Sequence, residues 1–328
     1  MKVLIVTSEW PTIEHPEWVP YITDQIEDLE SLGINVNVFH FRGNSNPFNY
    51  FKAWKNIHSI LNSVQVDIIH AHWGYNGLLC LPCKVPLVIT FHGSDLQGYY
   101  KNNGKYDYFK SFFMKFSSMI AAYFSSTNIL VSKSLLKKFP KWKKERIKVV
   151  PCGIDTSLFT PISKIEARNK LKLSLTKKYI LFPANPNLPV KRFDLAMKIY
   201  EQVSKEIEVG LLTLSNVPHE LVPYYMNASD VLLLTSKHEG SPMVIKEALA
   251  CNLPIISVNV GDIYDRVANI QGCYISLSDN PEELANLVKK VLFQNIEIDG
   301  RSHIEEISRK KSADRLFEIY QSVLKSNQ

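Results

Sequence analysis

Apolar residues recur along the chain in short runs of strand length, at 2–6, 34–40, 66–70, 86–91, 127–131 and 147–150. Between several of them lie longer stretches with helical spacing of apolar positions, such as 18–31 and 48–61. The pattern then restarts. Strands are predicted at 179–183, 208–214, 230–235, 254–258 and 273–276, and helices at 191–206, 218–227, 242–251, 281–293 and 303–325. Strands that alternate with helices predict parallel sheets covered on both faces, the α/β class. The segment Pro151-Cys152-Gly153-Ile154-Asp155, with Pro161 beyond it, carries turn-forming residues and reads as the junction of two such domains. The expected division is 1–156, 157–302, and a closing helix in 303–328 that packs back on the first domain. Ligands bind beyond the carboxyl ends of parallel strands. Functional chemistry is therefore expected just after strands, and in the cleft between two sheets if they face each other.

Composition narrows this picture. The chain has 328 residues, 45% of them hydrophobic and 21% charged. Those values exclude a disordered chain, a collagen-like repeat and a small disulfide scaffold. Five cysteines form no framework spacing, which suits a reducing compartment. Cys80 and Cys83 have redox-like spacing, but no second pair exists for zinc; a buried structural pair is expected. The apolar stretch at the N-terminus is too short for a signal-peptide core. The nearest approach to a spanning helix is 106–124, which Asp107, Lys110 and Lys115 interrupt. A cytoplasmic protein without a transmembrane anchor is expected.

The net charge is +6, and it is unevenly placed. Residues 101–148 hold 12 basic residues and two acidic ones, Asp107 and Glu145. Tyr106, Tyr108, Phe109, Phe112, Phe113, Phe116, Tyr123, Phe124, Phe139 and Trp142 interleave them. Cations beside exposed aromatics suit peripheral contact with an anionic membrane, on the inner face of the cytoplasmic membrane in this case. The alternative is an aromatic core beneath a solvated lysine face. No helix-turn-helix, zinc-finger or ribonucleoprotein motif accompanies the patch, so nucleic acid is not an expected partner.

Candidate chemistry concentrates at 235–254, just after the predicted strand at 230–235. Ser241 is predicted as an N-cap and Pro242 as the first helical residue. The amides of Met243 and Val244 would then be helix-start donors, a ready site for phosphate. Glu239 precedes the helix and Glu247 lies one turn inside it, so two carboxylates can flank one ligand. Carboxylates beside a phosphate site make sense if the ligand also carries sugar hydroxyls, which they accept well. The plain alternative is a surface helix with two ordinary glutamates.

The string HEGSPMVIKEALACNLPIISVNVGD resembles, nearly residue for residue, the signature of retaining glycosyltransferase family 4, which has the two-Rossmann GT-B fold. That signature is two glutamates with seven residues between them, matched by Glu239 and Glu247. VVPCGIDTSLFTP (149–161), YYMNASDVLLLTS (224–236), DIIHAHW (67–73) and VITFHGSDL (88–96) resemble other family segments in the family's order. The resemblance covers most of the chain. It is strongest to bacterial members that build surface polysaccharides of the teichuronic-acid type.

The resemblance implies a GT-B fold, with two Rossmann-like parallel-sheet domains facing across a cleft. It implies a nucleoside diphosphate sugar as donor, no separate cofactor, no metal, and a saccharide or lipid-linked acceptor. It implies that Glu239 contacts donor-sugar hydroxyls and that Glu247 contacts the ribose. The loop Gly240–Ser241–Pro242 and the amides up to Val244 would hold the diphosphate. His92 matches a family histidine near the reacting sugar, although a lone histidine after a strand is often only a structural hydrogen-bonder. Lys191 matches a lysine that grips the diphosphate. Asn185 stands where the family has an arginine; Arg192 either supplies the missing cation or faces solvent. The loop 10–19 lacks the glycines usual there. His70 and His72 lie on one side of a strand end and lack an obvious third ligand, so ordinary strand-end histidines are expected. Two other readings stay open: a non-catalytic GT-B partner subunit that binds donor or lipid carrier, and a sugar-nucleotide epimerase on the same scaffold.

Overall fold

The structure is a computed structural model that describes residues 1–12, 18–44, 46–101, 104–140 and 144–326. Part of the glycine-free loop (13–17) and Trp142 therefore lie outside the described residues. The chain divides into two compact units. The first comprises 1–99, 106–153 and 309–328; the second comprises 100–105 and 154–308.

The first unit is built on six parallel strands: β1 (Lys2–Thr7), β2 (Asn35–His40), β3 (Ile68–His72), β4 (Leu87–Phe91), β5 (Thr127–Leu130) and β6 (Ile147–Val149). Their order is β2-β1-β3-β4-β5-β6. β1 pairs with β3 from Val3↔Ile68 to Val6↔Ala71. β3 and β4 are buried along their whole length, with His70, His72 and Thr90 buried among apolar neighbours. One face of the sheet, with Val3, Ile5, Ile68 and Val88, packs on Ile22, Ile26 and Leu29 of α1 (Pro20–Ser31). Leu316 and Tyr320 of the closing helix (Arg309–Lys325) join the same cluster. The opposite face, with Leu4, Val6, Ile69 and Ile89, packs on Ile57 of α2 (Pro47–Ser63) and Leu78 of α3 (Gly74–Leu79). After the short α4 (Ser94–Gln97), α5 (Tyr108–Phe124) adds Ala121 and Ala122 to that layer.

The closing helix starts at Arg309 rather than at 303, because 301–307 form two tight 3₁₀ turns first. Arg309 anchors it to α1, with guanidinium nitrogens 3.2 Å from Asp24, 3.0 Å from Glu27 and 2.9 Å from Asp28. Gly153 of the junction explains itself here: a Cβ on it would lie 2.6 Å from Arg309 Cα.

The second unit holds five parallel strands in the order β8-β7-β9-β10-β11. They are β7 (Lys178–Phe182), β8 (Val209–Thr213), β9 (Val231–Leu234), β10 (Ile255–Val258) and β11 (Tyr274–Ser276). The helices are α6 (Lys164–Lys170), α7 (Phe193–Val203), α8 (Val222–Ala228), α9 (Met243–Ala250), α10 (Ile263–Val267) and α11 (Pro281–Gln294). Ile180, Val231, Leu233 and Ile256 face Leu195 and Ile199 of α7 and Leu284 and Val288 of α11. Leu181, Leu232, Leu234 and Ile255 face Met226 of α8, Ile245 and Leu249 of α9 and Ile263 of α10. α11 shows the local code plainly: Asn280 Oδ1 accepts from the Glu282 amide at 2.8 Å, Pro281 opens the helix, and two glutamates fill its first turn.

One expectation is corrected here, and one alternative falls. Cys83 is only half-buried, unlike Cys80, because it sits in the loop after α3 rather than beneath it. The aromatic-core alternative for 101–148 fails on α5: Phe109, Phe112, Phe113, Phe116 and Phe124 are exposed, and the helix buries Ser111, Ser118, Ala121 and Ala122 instead. Among the described residues no helix is long and apolar enough to cross a membrane.

Candidate active site

In the second unit the predicted donor residues fall on two loops at the carboxyl ends of β7 and β9. Thr235, the first residue after β9, is buried and stitches these loops together. Its hydroxyl lies 2.9 Å from the Lys191 carbonyl and 3.0 Å from the Arg192 carbonyl, and donates to them. Two residues on, the Lys237 amide donates to the Val190 carbonyl at 2.8 Å. Lys191 ends a 3₁₀ turn, Pro189–Lys191, and Arg192 follows in the left-handed region with φ 56°. So held, Lys191 places Nζ 2.7 Å from Glu239 Oε1.

The other predicted cation points elsewhere. Arg192 Nε lies 3.2 Å from Asp194 and Nη1 lies 3.0 Å from Asp279. Those carboxylates raise the guanidinium pKa, against the opposing effect of burial. Asn185 Oδ1 accepts from the Asn187 amide at 2.9 Å, a local turn.

The start of α9 differs from the sequence expectation. The helix begins at Met243, Pro242 takes the N-cap position with ψ 123°, and no described side chain caps it. Ser241 is diverted: its hydroxyl donates to Asp262 Oδ2 at 2.9 Å, and the same oxygen accepts from Arg266 Nε at 3.1 Å. The Ile245 amide bonds the Pro242 carbonyl, so the Met243 and Val244 amides lead the helix. Gly261 is left-handed, φ 60°, and packs flat on the signature loop. A Cβ there would lie 2.7 Å from the Gly240 carbonyl oxygen and 3.2 Å from Glu239 Cβ. Glu247 sits half-buried one turn into α9. Ser236 Oγ is buried beside Thr235 with no hydrogen-bond partner among the described residues.

The first unit gathers histidines at its strand ends. His72 Nδ1 lies 3.0 Å from His92 Nε2, with the rings stacked at 5.2 Å. Trp73, in the left-handed region at φ 67°, packs its ring 4.7 Å from His92, and Cys152 Sγ lies 4.0 Å from His92 Nδ1. His70 lies 2.6 Å from Tyr320 Oη and 2.7 Å from Thr90 Oγ1. Burial lowers the His70 pKa to about 3 and holds His72 well below the ordinary range. Both are neutral hydrogen-bonders at neutral pH. Buried Asp95 receives the amides of Gly74 and Gly93 at 3.0 Å each. Burial pushes its pKa up to about 6 despite those donors. Among the described residues no group of three or more His, Cys, Asp or Glu is arranged to hold a metal ion.

Sequence reasoning paired Glu239 with Glu247 and treated Lys191 separately; the structure pairs Lys191 with Glu239. It missed Thr235, Gly261 and Asp262. The only available signals were a hydroxyl residue at a strand end and the Gly-Asp after β10. A lysine, helix-start amides and carboxylates on adjoining loops can hold a diphosphate and hydroxyls together.

Two Rossmann-like parallel-sheet units of this kind are those of the GT-B fold class. Residues 1–158 match the model for Glycosyltransferase Family 4, and residues 200–311 match that for Glycosyl transferases group 1. The two matches cover most of the chain, which belongs to the family 4, group 1 glycosyltransferases. It is similar to a Bacillus subtilis protein named as the teichuronic acid biosynthesis glycosyltransferase TuaC, 24% identical across 98% of this chain and 94% of that one. It is also 24% identical to an Escherichia coli UDP-Gal:alpha-D-GlcNAc-diphosphoundecaprenol alpha-1,3-galactosyltransferase, across 73% of this chain and 70% of that one. Among solved structures, sucrose-phosphate synthase from Thermosynechococcus elongatus superposes with a TM-score of 0.78 at 14% identity, covering 99% of this chain and all of that one.

Proposed function

We propose that the protein transfers a sugar, with retention of anomeric configuration, from a nucleoside diphosphate sugar to a hydroxyl of a lipid-linked saccharide in cell-surface polysaccharide synthesis. The contact between Lys191 Nζ and Glu239 Oε1 carries this reading. A cation that serves a diphosphate and a carboxylate that serves sugar hydroxyls meet where those two parts of one donor adjoin. The names of the two relatives above support a surface-polysaccharide role and a lipid-linked acceptor.

In the proposed step the bond from the anomeric carbon to the phosphate oxygen breaks, and the bond to the acceptor oxygen forms on the same face. The acceptor proton passes to the departing phosphate oxygen. Lys191 and the amides at the start of α9 stabilise the charge that develops there, without a metal. Glu239 orients the sugar, Glu247 holds the ribose, and His92 assists at the sugar. Loop residues Gly240, Ser241 and Pro242 shape the diphosphate site. The test is turnover of a panel of donors with a lipid-linked saccharide acceptor, with the product anomer read by NMR. An inverted product, or hydrolysis alone, contradicts the reading.

One observation favours a second reading. Asn185 spends its side chain on a local turn and Arg192 on Asp194 and Asp279, so Lys191 is left as the principal cation. A non-catalytic subunit that binds donor or lipid carrier would tolerate that weakness. It predicts donor binding without turnover.

A further inference from the structure

Helix α5 is amphipathic in the reverse sense. Its inward side is small, since α3 lies against it: a Cβ on Gly74 would meet Ser118 Cβ at 2.5 Å, and one on Gly77 would meet Ala121 Cβ at 3.3 Å. Its outward side carries Phe109, Phe112, Phe113 and Phe116, with Phe109 76% exposed. A helix that ends in water shows the opposite pattern. α2 lies in the same layer over the sheet and adds Phe48, 78% exposed, Phe51 and Trp54. Trp54 Nε1 donates to the Leu81 carbonyl at 3.1 Å, which ties α2 to the loop after α3. There a cleft of about 540 Å³, lined by Leu78, Leu81, Val85, Ile120 and Phe124, continues the apolar surface.

Charge selects the partner. Residues 31–144 contain 14 lysines and arginines but three acids: Asp67, Asp95 and Asp107. Asp95 is buried, Asp67 accepts the Lys2 amide, and Asp107 caps α5 through the Lys110 amide. α2 and α5 themselves carry Lys52, Lys55, Lys110 and Lys115 and no acid. A second copy of this face would meet it with like charge. An anionic lipid surface meets it with opposite charge and accepts aromatic side chains at headgroup depth.

We propose that α2 and α5 together form a membrane-docking face for anionic lipid. This extends to α2 the membrane contact expected for 101–148, and it does not depend on the catalytic reading. The test is flotation of the full chain with phosphatidylcholine vesicles, with and without phosphatidylglycerol. Wild type binds the anionic vesicles and is released by salt. Phe112→Ser/Phe116→Ser and Lys52→Glu/Lys55→Glu each lower partitioning by about 10-fold or more, given the per-residue contributions of such groups. Their melting temperatures and their stabilisation by nucleotide sugars stay at wild-type values, which separates docking from donor binding. Equal binding to neutral vesicles, or wild-type binding by the α2 variant, overturns the proposal. So does self-association by light scattering that Phe112→Ser/Phe116→Ser abolishes.

Discussion

Lys191 Nζ lies 2.7 Å from Glu239 Oε1, and the residues come from loops that follow two neighbouring strands, β7 and β9. The lysine is 27% exposed and the glutamate 12%. In a mostly buried pair of this kind desolvation of both charges offsets much of the Coulombic attraction, so the pair is weak evidence for stability. Its meaning is therefore positional: it marks where a donor's phosphate and hydroxyls would meet their partners.

Thr235 sets that position. Thr235→Val removes the hydroxyl that serves the Lys191 and Arg192 carbonyls; the Arg192 carbonyl keeps the Leu195 and Ala196 amides, but the Lys191 carbonyl loses the hydroxyl that holds it. The expected cost is about 1–3 kcal/mol of stability, together with weaker donor binding. Thr235→Ser restores both. Chemical denaturation and donor titration check this, and wild-type donor affinity in Thr235→Val would contradict it.

Gly261 fixes the other side of the signature loop. Gly261→Ala strains a left-handed backbone by about 1–3 kcal/mol and drives a methyl toward the Gly240 carbonyl, which cannot yield as a flexible side chain does. Lower stability and loss of donor binding are expected together. An unchanged denaturation midpoint would show that the loop moves freely.

Acid should weaken the first unit. His70 and His72 are held neutral in the fold, with His70 at about 3. The unfolded chain takes up their protons near 6.5, so it binds more protons there than the fold does. Stability from His70 is complete above pH 6.5 and falls as pH drops toward 3, by about 1.4 kcal/mol per pH unit, and His72 acts in the same direction. Asp95 opposes this: its pKa is raised from 3.8 to about 6, so its contribution is complete below 3.8 and is lost as pH rises through 6. Two histidines outweigh one aspartate between these limits. Unfolding free energy against pH should fall on acidification, and His70→Gln should flatten the slope.

Much of the fold was legible because the parallel strands are short, largely apolar runs between helical stretches, and the eleven described large-sheet strands lie where the pattern put them, to within a residue or two. The outward aromatics of α5 were the favoured of two readings but not a settled one, since Phe and Lys at helical spacing read the same whichever side faces the sheet. Only the close approach of Gly74 and Gly77 decides it. The start of α9 misled for a similar reason. Ser241 is a fine cap by type, but buried Asp262, on a distant loop, competes for its hydroxyl. Lys191 and Glu239 were each nameable from motif, whereas their contact depends on Thr235, whose role no local spacing announces.

The most direct measurement is thermal stabilisation of the chain by UDP-, GDP-, ADP- and dTDP-sugars, beside Lys191→Ala and Glu247→Ala. A ligand at 100 times its Kd adds about 2.7 kcal/mol, a readily measured shift. The account predicts a shift with one nucleotide base, lost in both variants while their own melting temperatures stay close to wild type. A shift that survives Lys191→Ala, or none with any donor, would contradict it.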